Sequence, residues 1–267
     1  MTDVALQQVR RQVCEAQEQW RRASTDDVEA KMPFVTLSYA QSIDGSLAVE
    51  RGKPTLLSGR ASLKMTHMLR TLHDGILVGV GTVVADNPSL NARLAEGRNP
   101  QPIIIDTHLR CPTTIKLFTS PTCERPVIIY GRGSSDPEIL DRRRALETLG
   151  ATVVESETAL GTDGRDHVDL RCAFRIARQN GICSIMVEGG SAILTSCLES
   201  VAPRQLIDIV VVTIAPIFIG GLRAVHKLLT PAGPTSTAAG PTFPRLLHPR
   251  FHVLDEDVVV VGHLDGY

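Results

Sequence analysis

The chain has 267 residues, with 28 basic and 29 acidic side chains and a formal net charge of −1, long enough for one sizeable core or two smaller ones. That balance excludes the clustered basic excess of a nucleic-acid footprint, and one Trp, three Tyr and six Phe leave few rings for stacking on bases. None of the six cysteines forms a Cys-x-x-Cys pair, so reduced thiols are expected, with neither a structural zinc nor a redox dithiol.

The N-terminus is charged and holds no apolar leader, and the longest apolar run, Ile209 to Ile219, contains Pro216 and is too short for a bilayer. A cytoplasmic protein is the expectation. Residues 4 to 22 read as a surface helix with a thin apolar stripe of Leu6, Val9, Val13 and Trp20. Ser24 to Lys31 is polar, so residues 1–32 read as an accessory helix and linker, and 33–267 as one domain. Phe34 to Tyr39 alternates as a strand and runs through Ala40 into a turn at Asp44-Gly45.

Ser58 can cap a helix reaching His73. Met65, Met68, Leu69 and Leu72 make its apolar face, with Thr66, His67, Arg70, His73 and Asp74 opposite. Gly75 ends it, Ile76-Leu77-Val78 is a short core strand, and a polar loop is expected from Gly79 to Arg93. Strands follow at Pro102–Asp106, Pro126–Tyr130 (leading into Gly131-Arg132-Gly133) and Thr152–Glu155. A helix spans Pro137–Leu149, with Arg142, Arg143 and Arg144 on a solvated face, and another runs from Leu170 to Ala177. Ser184–Val187 is a strand delivering Glu188-Gly189-Gly190-Ser191 into a helix, Ala192–Glu199. Leu206–Ile214 is a long apolar strand, Thr230–Pro244 a loop, and Phe251–Leu254 with Val258–Val261 a hairpin. Strands alternating with helices, then a hairpin, predict an α/β fold: a mostly parallel central sheet with a C-terminal antiparallel hairpin.

Two stretches carry candidate chemistry. After the strand at Ile76, Gly79 and Gly81 permit close backbone approach. Thr82, Asp86, Arg70 and Arg93 bring a hydroxyl, a carboxylate and two cations to one strand end, which points to a phosphorylated polar ligand; ordinary turn chemistry is the plain alternative. In Glu188-Gly189-Gly190-Ser191, a strand, two glycines and a helix start make an anion seat, although the full GxGxxG fingerprint is missing. A tight βα turn is the plain alternative, and a carboxylate at the strand end such as Glu188, where the glycines open a cleft, is more often a ligand contact than surface decoration. His248 and His252 flank Pro249 and have no third partner, so no metal site is expected. There is neither a Gly-x-Ser-x-Gly elbow nor a Walker A loop.

The run from Pro33 to Gly45, MTHMLRTLHDGILVGVGTVVADNPSLN, Pro102 to Thr107, and SIMVEGG together resemble the riboflavin-pathway pyrimidine reductases, most of all their stand-alone fungal and archaeal branch. The resemblance runs from about Pro33 to the C-terminus. It implies a dihydrofolate-reductase-like fold, NADPH as hydride donor, a phosphorylated pyrimidine substrate and a homodimer. Carried onto this chain, Ala40, Thr82, Asp86, Thr107, Gly189, Gly190, Ser191 and Ala192 fall at cofactor-contacting positions. Arg70, Leu90, Arg93 and Glu188 fall at substrate-facing ones, with Arg70 and Arg93 holding the 5′-phosphate. The general acid is unassigned, with Asp44, Asp86 and Glu188 as candidates, and Arg132 is a candidate for the cofactor's 2′-phosphate. The deaminase module fused to bacterial relatives has no counterpart motif here. Leu56 and Pro54 stand where those relatives often carry Trp and Ser. The expected substrate is the diamino ribosylaminopyrimidine phosphate; its deaminated form, or an NADPH-binding module without turnover, are the rival readings.

Overall fold

The computed structural model describes residues 2–23, 32–53, 55–132, 136–161, 164–199, 206–225 and 244–265. The expected linker at 24–31, Pro54, Gly133 and nearly all of the loop at 230–244 lie outside the described residues. In chain order the elements are helix α1 (Thr2–Ala23), strands β1 (Phe34–Ser42) and β2 (Ser46–Ala48), α2 (Arg60–Thr71), β3 (Gly75–Gly79), α3 (Val80–Asp86), β4 (Gln101–Ile105) and α4 (Lys116–Thr119). There follow β5 (Val127–Gly131), α5 (Pro137–Thr148), β6 (Thr152–Ser156), β7 (Thr158–Leu160), β8 (Asp166–Val168), α6 (Leu170–Gln179) and β9 (Ser184–Val187). The chain closes with α7 (Ser191–Glu199), β10 (Ile209–Ala215), β11 (Leu222–Arg223), β12 (Leu246–Leu254) and β13 (Asp257–Leu264).

The chain forms two compact units. One comprises Met1–Ala23, Phe34–Thr66 and Gly189–Tyr267; the other comprises Ser24–Pro33 and His67–Glu188. In the second unit five strands lie in the order β9-β3-β4-β5-β6, every neighbouring pair parallel. Covered on both faces, such strands carry unbroken apolar runs rather than alternation. Ile76, Leu77, Ile103, Ile104, Ile128 and Ile129 are all fully buried. Helix α5 starts on Asp136, which accepts from the Glu138 N–H at 2.9 Å with Pro137 in the first turn, and α6 starts on Asp169, which accepts from Cys172 at 2.9 Å.

In the first unit the order is β12-β13-β10-β1, with β1 parallel to β10 and the other pairs antiparallel. The mostly parallel sheet with a C-terminal hairpin is therefore the observed architecture. Helix α1 packs on β12 and β1. Its stripe of Leu6, Val9, Val13 and Ala16 is buried, Trp20 meets Phe34 edge-on at 6.3 Å, and His252 Nε2 donates to Gln12 Oε1 at 3.1 Å. At the far end of the hairpin turn, Asp257 Oδ2 accepts from Gly59 N at 2.8 Å, placing a carboxylate at the start of α2.

Three sequence expectations are corrected, and one element went unread. The Gly79–Arg93 stretch is not all loop, because Val80 and Val83, one helical turn apart, are buried in the core beside Ile76, Val78 and Ile104, and this packing outweighs the low helix propensity of Gly81. Asn87, in the left-handed region at φ 42°, then closes α3. Arg142 is not simply solvated: it donates to the Leu109 carbonyl at 2.7 Å and the Cys111 carbonyl at 3.0 Å. Strand β10 begins at Ile209 rather than Leu206. The β7–β8 hairpin, short and exposed apart from Val168, has no alternating pattern by which it could be read.

If α1 is part of its unit's core, Val13→Ala should lower unfolding stability by about 2 kcal/mol, through lost transfer energy and an unfilled cavity. Denaturant unfolding checks this, and an unchanged midpoint would show that the helix contributes no core.

Candidate active site

The best-defined polar cluster of the second unit lies at the end of β9. Glu188, the residue after that strand, is tied back by its N–H to the Leu77 carbonyl at 2.9 Å. Its carboxylate receives a two-pronged contact from Arg70 on α2, Nε to Oε1 at 2.7 Å and Nη2 to Oε2 at 2.6 Å. Both side chains are mostly buried, at 11% and 18% exposure. Paired arginine–carboxylate geometry of this kind is strong and directional. Burial works against the Arg70 charge, yet Glu188 outweighs it and raises the guanidinium pKa.

Arg70 Nη1 also donates to the Asn91 carbonyl at 2.8 Å. Arg70 thus uses one N–H of each guanidinium nitrogen to hold Glu188 and the loop after α3. Arg93 is different. It is exposed, and its contact is a long one, Nη1 to Asn91 Oδ1 at 3.4 Å. The Leu90 side chain is 3% exposed and belongs to the core, while its backbone sits at φ 50°. A branched residue there carries strain of roughly 1–2 kcal/mol. Leu90 supports the loop from the core side.

Thr82 and Asp86 are four apart on α3 and share one face. Partial burial pushes the Asp86 carboxyl above its ordinary value. A Cβ on Gly81 would meet nothing within 4 Å, so the protein itself imposes no need for glycine there. At the end of β4, Thr107 Oγ1 accepts from the Val168 N–H at 3.2 Å and the Thr107 carbonyl accepts from Gly131 N at 3.1 Å. This expected cofactor contact thereby also anchors the β7–β8 hairpin. Arg132 is exposed beyond β5.

In the first unit, Ala40 lies on β1 opposite Thr213. Asp44 is not poised as an acid. Its carboxylate accepts from Ser42 Oγ at 2.5 Å and from the Ile219 and Gly220 N–H groups at 3.1 and 2.7 Å, which together hold its pKa far below the usual carboxylate range. It fastens the 216–221 loop to the β1 turn. There Gly221 is indispensable, since a Cβ would lie 2.2 Å from the Ala48 carbonyl oxygen. The Gly189–Ala192 turn opens α7. A Cβ at Gly189 would meet Ile193 Cβ at 2.5 Å, and the first turn of α7 holds no acidic residue. A bare backbone turn with a positive helix end suits a pyrophosphate.

Two residues of the polar cluster were not singled out by sequence reasoning. Asn91 hides in an ordinary Ser-Leu-Asn run, and only its buried position reveals it. His67 precedes Arg70 by one helical turn, a spacing that does appear in the sequence. Among the described residues no group of His, Cys, Asp and Glu is disposed to hold a metal ion, and no helix is long and apolar enough to cross a membrane.

A parallel α/β sheet with ligand-type groups gathered at strand ends defines an enzyme domain of the open-sheet type, in which sites lie beyond the carboxyl ends of the strands. Residues 33–259 match the RibD C-terminal domain, and the chain belongs to that family. It is 34% identical over 199 residues to the 2,5-diamino-6-ribosylamino-4(3H)-pyrimidinone 5′-phosphate reductase of Candida glabrata, covering 70% of this chain and 76% of that one. To the enzyme of the same name from Debaryomyces hansenii it is 35% identical over 201 residues, with the same coverage of 70% and 76%. Among solved structures, the riboflavin biosynthesis reductase Rib7 of Saccharomyces cerevisiae superposes with a TM-score of 0.63 at 26% identity, covering 92% of this chain and 94% of that one. The fold is dihydrofolate-reductase-like, and the family's reductase chemistry implies a nicotinamide cofactor.

Truncating either partner of the Arg70–Glu188 pair strands a buried charge, so Arg70→Ala and Glu188→Ala should each cost about 3 kcal/mol. The double variant should cost clearly less than their sum, and additivity in chemical unfolding would show that the pair is not coupled. Burial also pushes His67 and His73 down to about 4 from the ordinary 6.5. The unfolded chain therefore binds protons first as pH falls, and the stability these groups provide is present above 6.5 and lost toward 4. Asp208, pushed up to about 6 by burial, acts with the opposite sign. His73→Gln should accordingly flatten the acid-side decline in unfolding free energy between pH 6.5 and 4, and an unaltered slope would refute this.

Proposed function

We propose that this protein is the NADPH-dependent riboflavin-pathway reductase that converts the ribosyl side chain of 2,5-diamino-6-ribosylamino-4(3H)-pyrimidinone 5′-phosphate to the ribitylamino form. The observation that carries this reading is the Arg70–Glu188 pair at the end of β9, with the exposed Arg93 held beside it through Asn91. Family membership supplies the reaction class, and this cluster supplies an anchored carboxylate next to a cation free to meet an anion.

Opening of the sugar ring gives an imine at the anomeric carbon. Reduction adds hydride to that carbon and a proton to the nitrogen. NADPH, when bound, supplies the hydride. Arg93 engages the 5′-phosphate as a charge-assisted partner. Glu188, fixed in direction by Arg70, accepts hydrogen bonds from the aminopyrimidine or the sugar hydroxyls. Among the acid candidates, Asp44 is the poorest, because a carboxyl held well below its usual range gives up no proton near neutrality. Asp86, whose affinity for a proton is raised, is the better one. The cofactor's pyrophosphate rests on Gly189, Gly190, Ser191 and Ala192. Ala40, Thr82, Asp86 and Thr107 are the further positions that the family resemblance assigns to the cofactor, and the exposed Arg132 would read its 2′-phosphate.

A homodimer belongs to the same proposal. Strand β12 is a sheet edge, and Phe251 and Val253 on it are 67% and 63% exposed, a surface that a second copy would cover.

NADPH oxidation with the diamino and the deaminated ribosylaminopyrimidine phosphates offered separately tests the substrate. Preference for the diamino compound is expected, and preference for the other would transfer the enzyme to the deaminate-first branch. Arg93→Ala should raise the Michaelis constant for the phosphorylated substrate by about 10- to 100-fold and leave its dephosphorylated analogue within about 3-fold. Equal effects on both would remove Arg93 from the phosphate.

A further inference from the structure

Exposed apolar side chains are ordinarily scattered singly, and a group of them on a rigid support marks a surface made to be covered. The first unit holds such a group at the carboxyl ends of β1 and β10, which run parallel with Ser42 opposite Ala215. Ile43 is 52% and Phe218 77% exposed. Their support is a knot of two turns. The Ile43 N–H donates to the Ile217 carbonyl at 2.9 Å, just before Phe218. Just after it, the Ile219 and Gly220 N–H groups donate to Asp44 Oδ1 and Oδ2 at 3.1 and 2.7 Å. Ser46 Oγ donates to the Gly220 carbonyl at 2.8 Å, and Arg223 donates to the Asp44 carbonyl. Phe218 is thus pinned through both chain neighbours while its ring stays in solvent. Holding an exposed ring so firmly adds nothing to the core; it is the preorganisation that a binding contact requires.

We propose that Ile43 and Phe218 form an apolar wall for the nicotinamide end of the cofactor, and that Asp44 is the positioning residue that fixes the wall. This rests on the reading of the protein as an NADPH-dependent reductase, in which Ala40, three residues before Ile43, is a cofactor position. Ligands of open α/β sheets bind beyond the carboxyl ends of the strands, where the wall lies. The occupant follows from its chemistry. A pyrophosphate is charged and needs N–H donors, which the Gly189–Ala192 turn offers and the wall does not. The reduced nicotinamide ring is flat and uncharged, and suits an aromatic and an aliphatic side chain. Asp44 takes no part in proton transfer here, because each of its carboxylate oxygens is committed to a main-chain N–H.

The test measures, by calorimetry on the full chain, the binding of NADPH and of adenosine 2′,5′-bisphosphate, which lacks the nicotinamide. Wild type is compared with Phe218→Ala and Asp44→Asn. Phe218→Ala trims a ring that is largely in solvent, so the fold survives it. Asp44→Asn keeps the shape but puts an NH2 group in place of one accepting oxygen, which leaves one main-chain N–H without its acceptor and slackens the loop. NADPH affinity should fall by about 10-fold in both variants, and affinity for the bisphosphate should stay within about 2-fold. Equal losses for both probes would make these residues supports of the fold and overturn the proposal, as would unchanged NADPH affinity in either variant. A Phe218→Ala chain that keeps its NADPH affinity and changes its oligomeric state would hand the wall to a second copy instead. A wild type that binds neither probe overturns the reductase reading and the wall with it. The expected binding pattern in a protein that reduces neither pyrimidine overturns the proposed substrate and leaves the wall standing.

Discussion

The double-pronged contact between Arg70 and Glu188 is the constraint on which this candidate site depends. A lone carboxylate at the end of a buried parallel strand would be costly, and so would a lone guanidinium inside α2. Paired, each fixes the other's direction, and the third nitrogen of Arg70 reaches out to hold the Asn91 carbonyl. One interaction thereby ties together a helix, a strand end and a loop that are distant in sequence. It also divides the cations by task. Arg70 is braced by the fold at three points, while Arg93 is the exposed cation of this cluster.

The same division recurs among the carboxylates. Asp44, Asp86 and Glu188 look equivalent as candidates until their surroundings are known. Asp44 is held by several donors and clamps a loop, Glu188 is fixed in direction by one arginine, and of the three Asp86 alone is raised toward protonation. Hydrogen-bond donors stabilise the charged form and burial destabilises it, so environment separates groups that composition cannot. The glycines divide likewise. Gly189 and Gly221 have no room for a side chain, whereas Gly81 has open space around it.

Much of this was legible in the sequence, for identifiable reasons. The parallel strands are apolar throughout and bounded by turn residues, so Ile76, Ile103 and Val127 marked them. Helix α2 itself stops at Thr71, short of the end expected at Gly75, which is the first residue of β3, and the caps at Asp136 and Asp169 were not read. What escaped depends on tertiary packing. Helix α3 exists because Val80 and Val83 find a core, overriding two glycines that pointed to a loop. Arg70 was legible as a candidate but its pairing was not, because its partner stands 118 positions away. Asn91 carries no local signal at all; it matters through what reaches it.

The way the two units are threaded has a consequence for how the chain acquires its structure. The second unit draws every strand of its sheet from one unbroken stretch, His67–Glu188, so it can assemble as soon as that stretch leaves the ribosome. The first unit cannot. Strand β1 must wait for β10, and Val35 finds the carboxylate of Asp208 173 positions later. Closing so long a loop is slow, and until it closes β1 is an apolar strand with that edge unpaired. During synthesis, this early segment, rather than the late-made hairpin, is the part of the molecule most exposed to wrong partners.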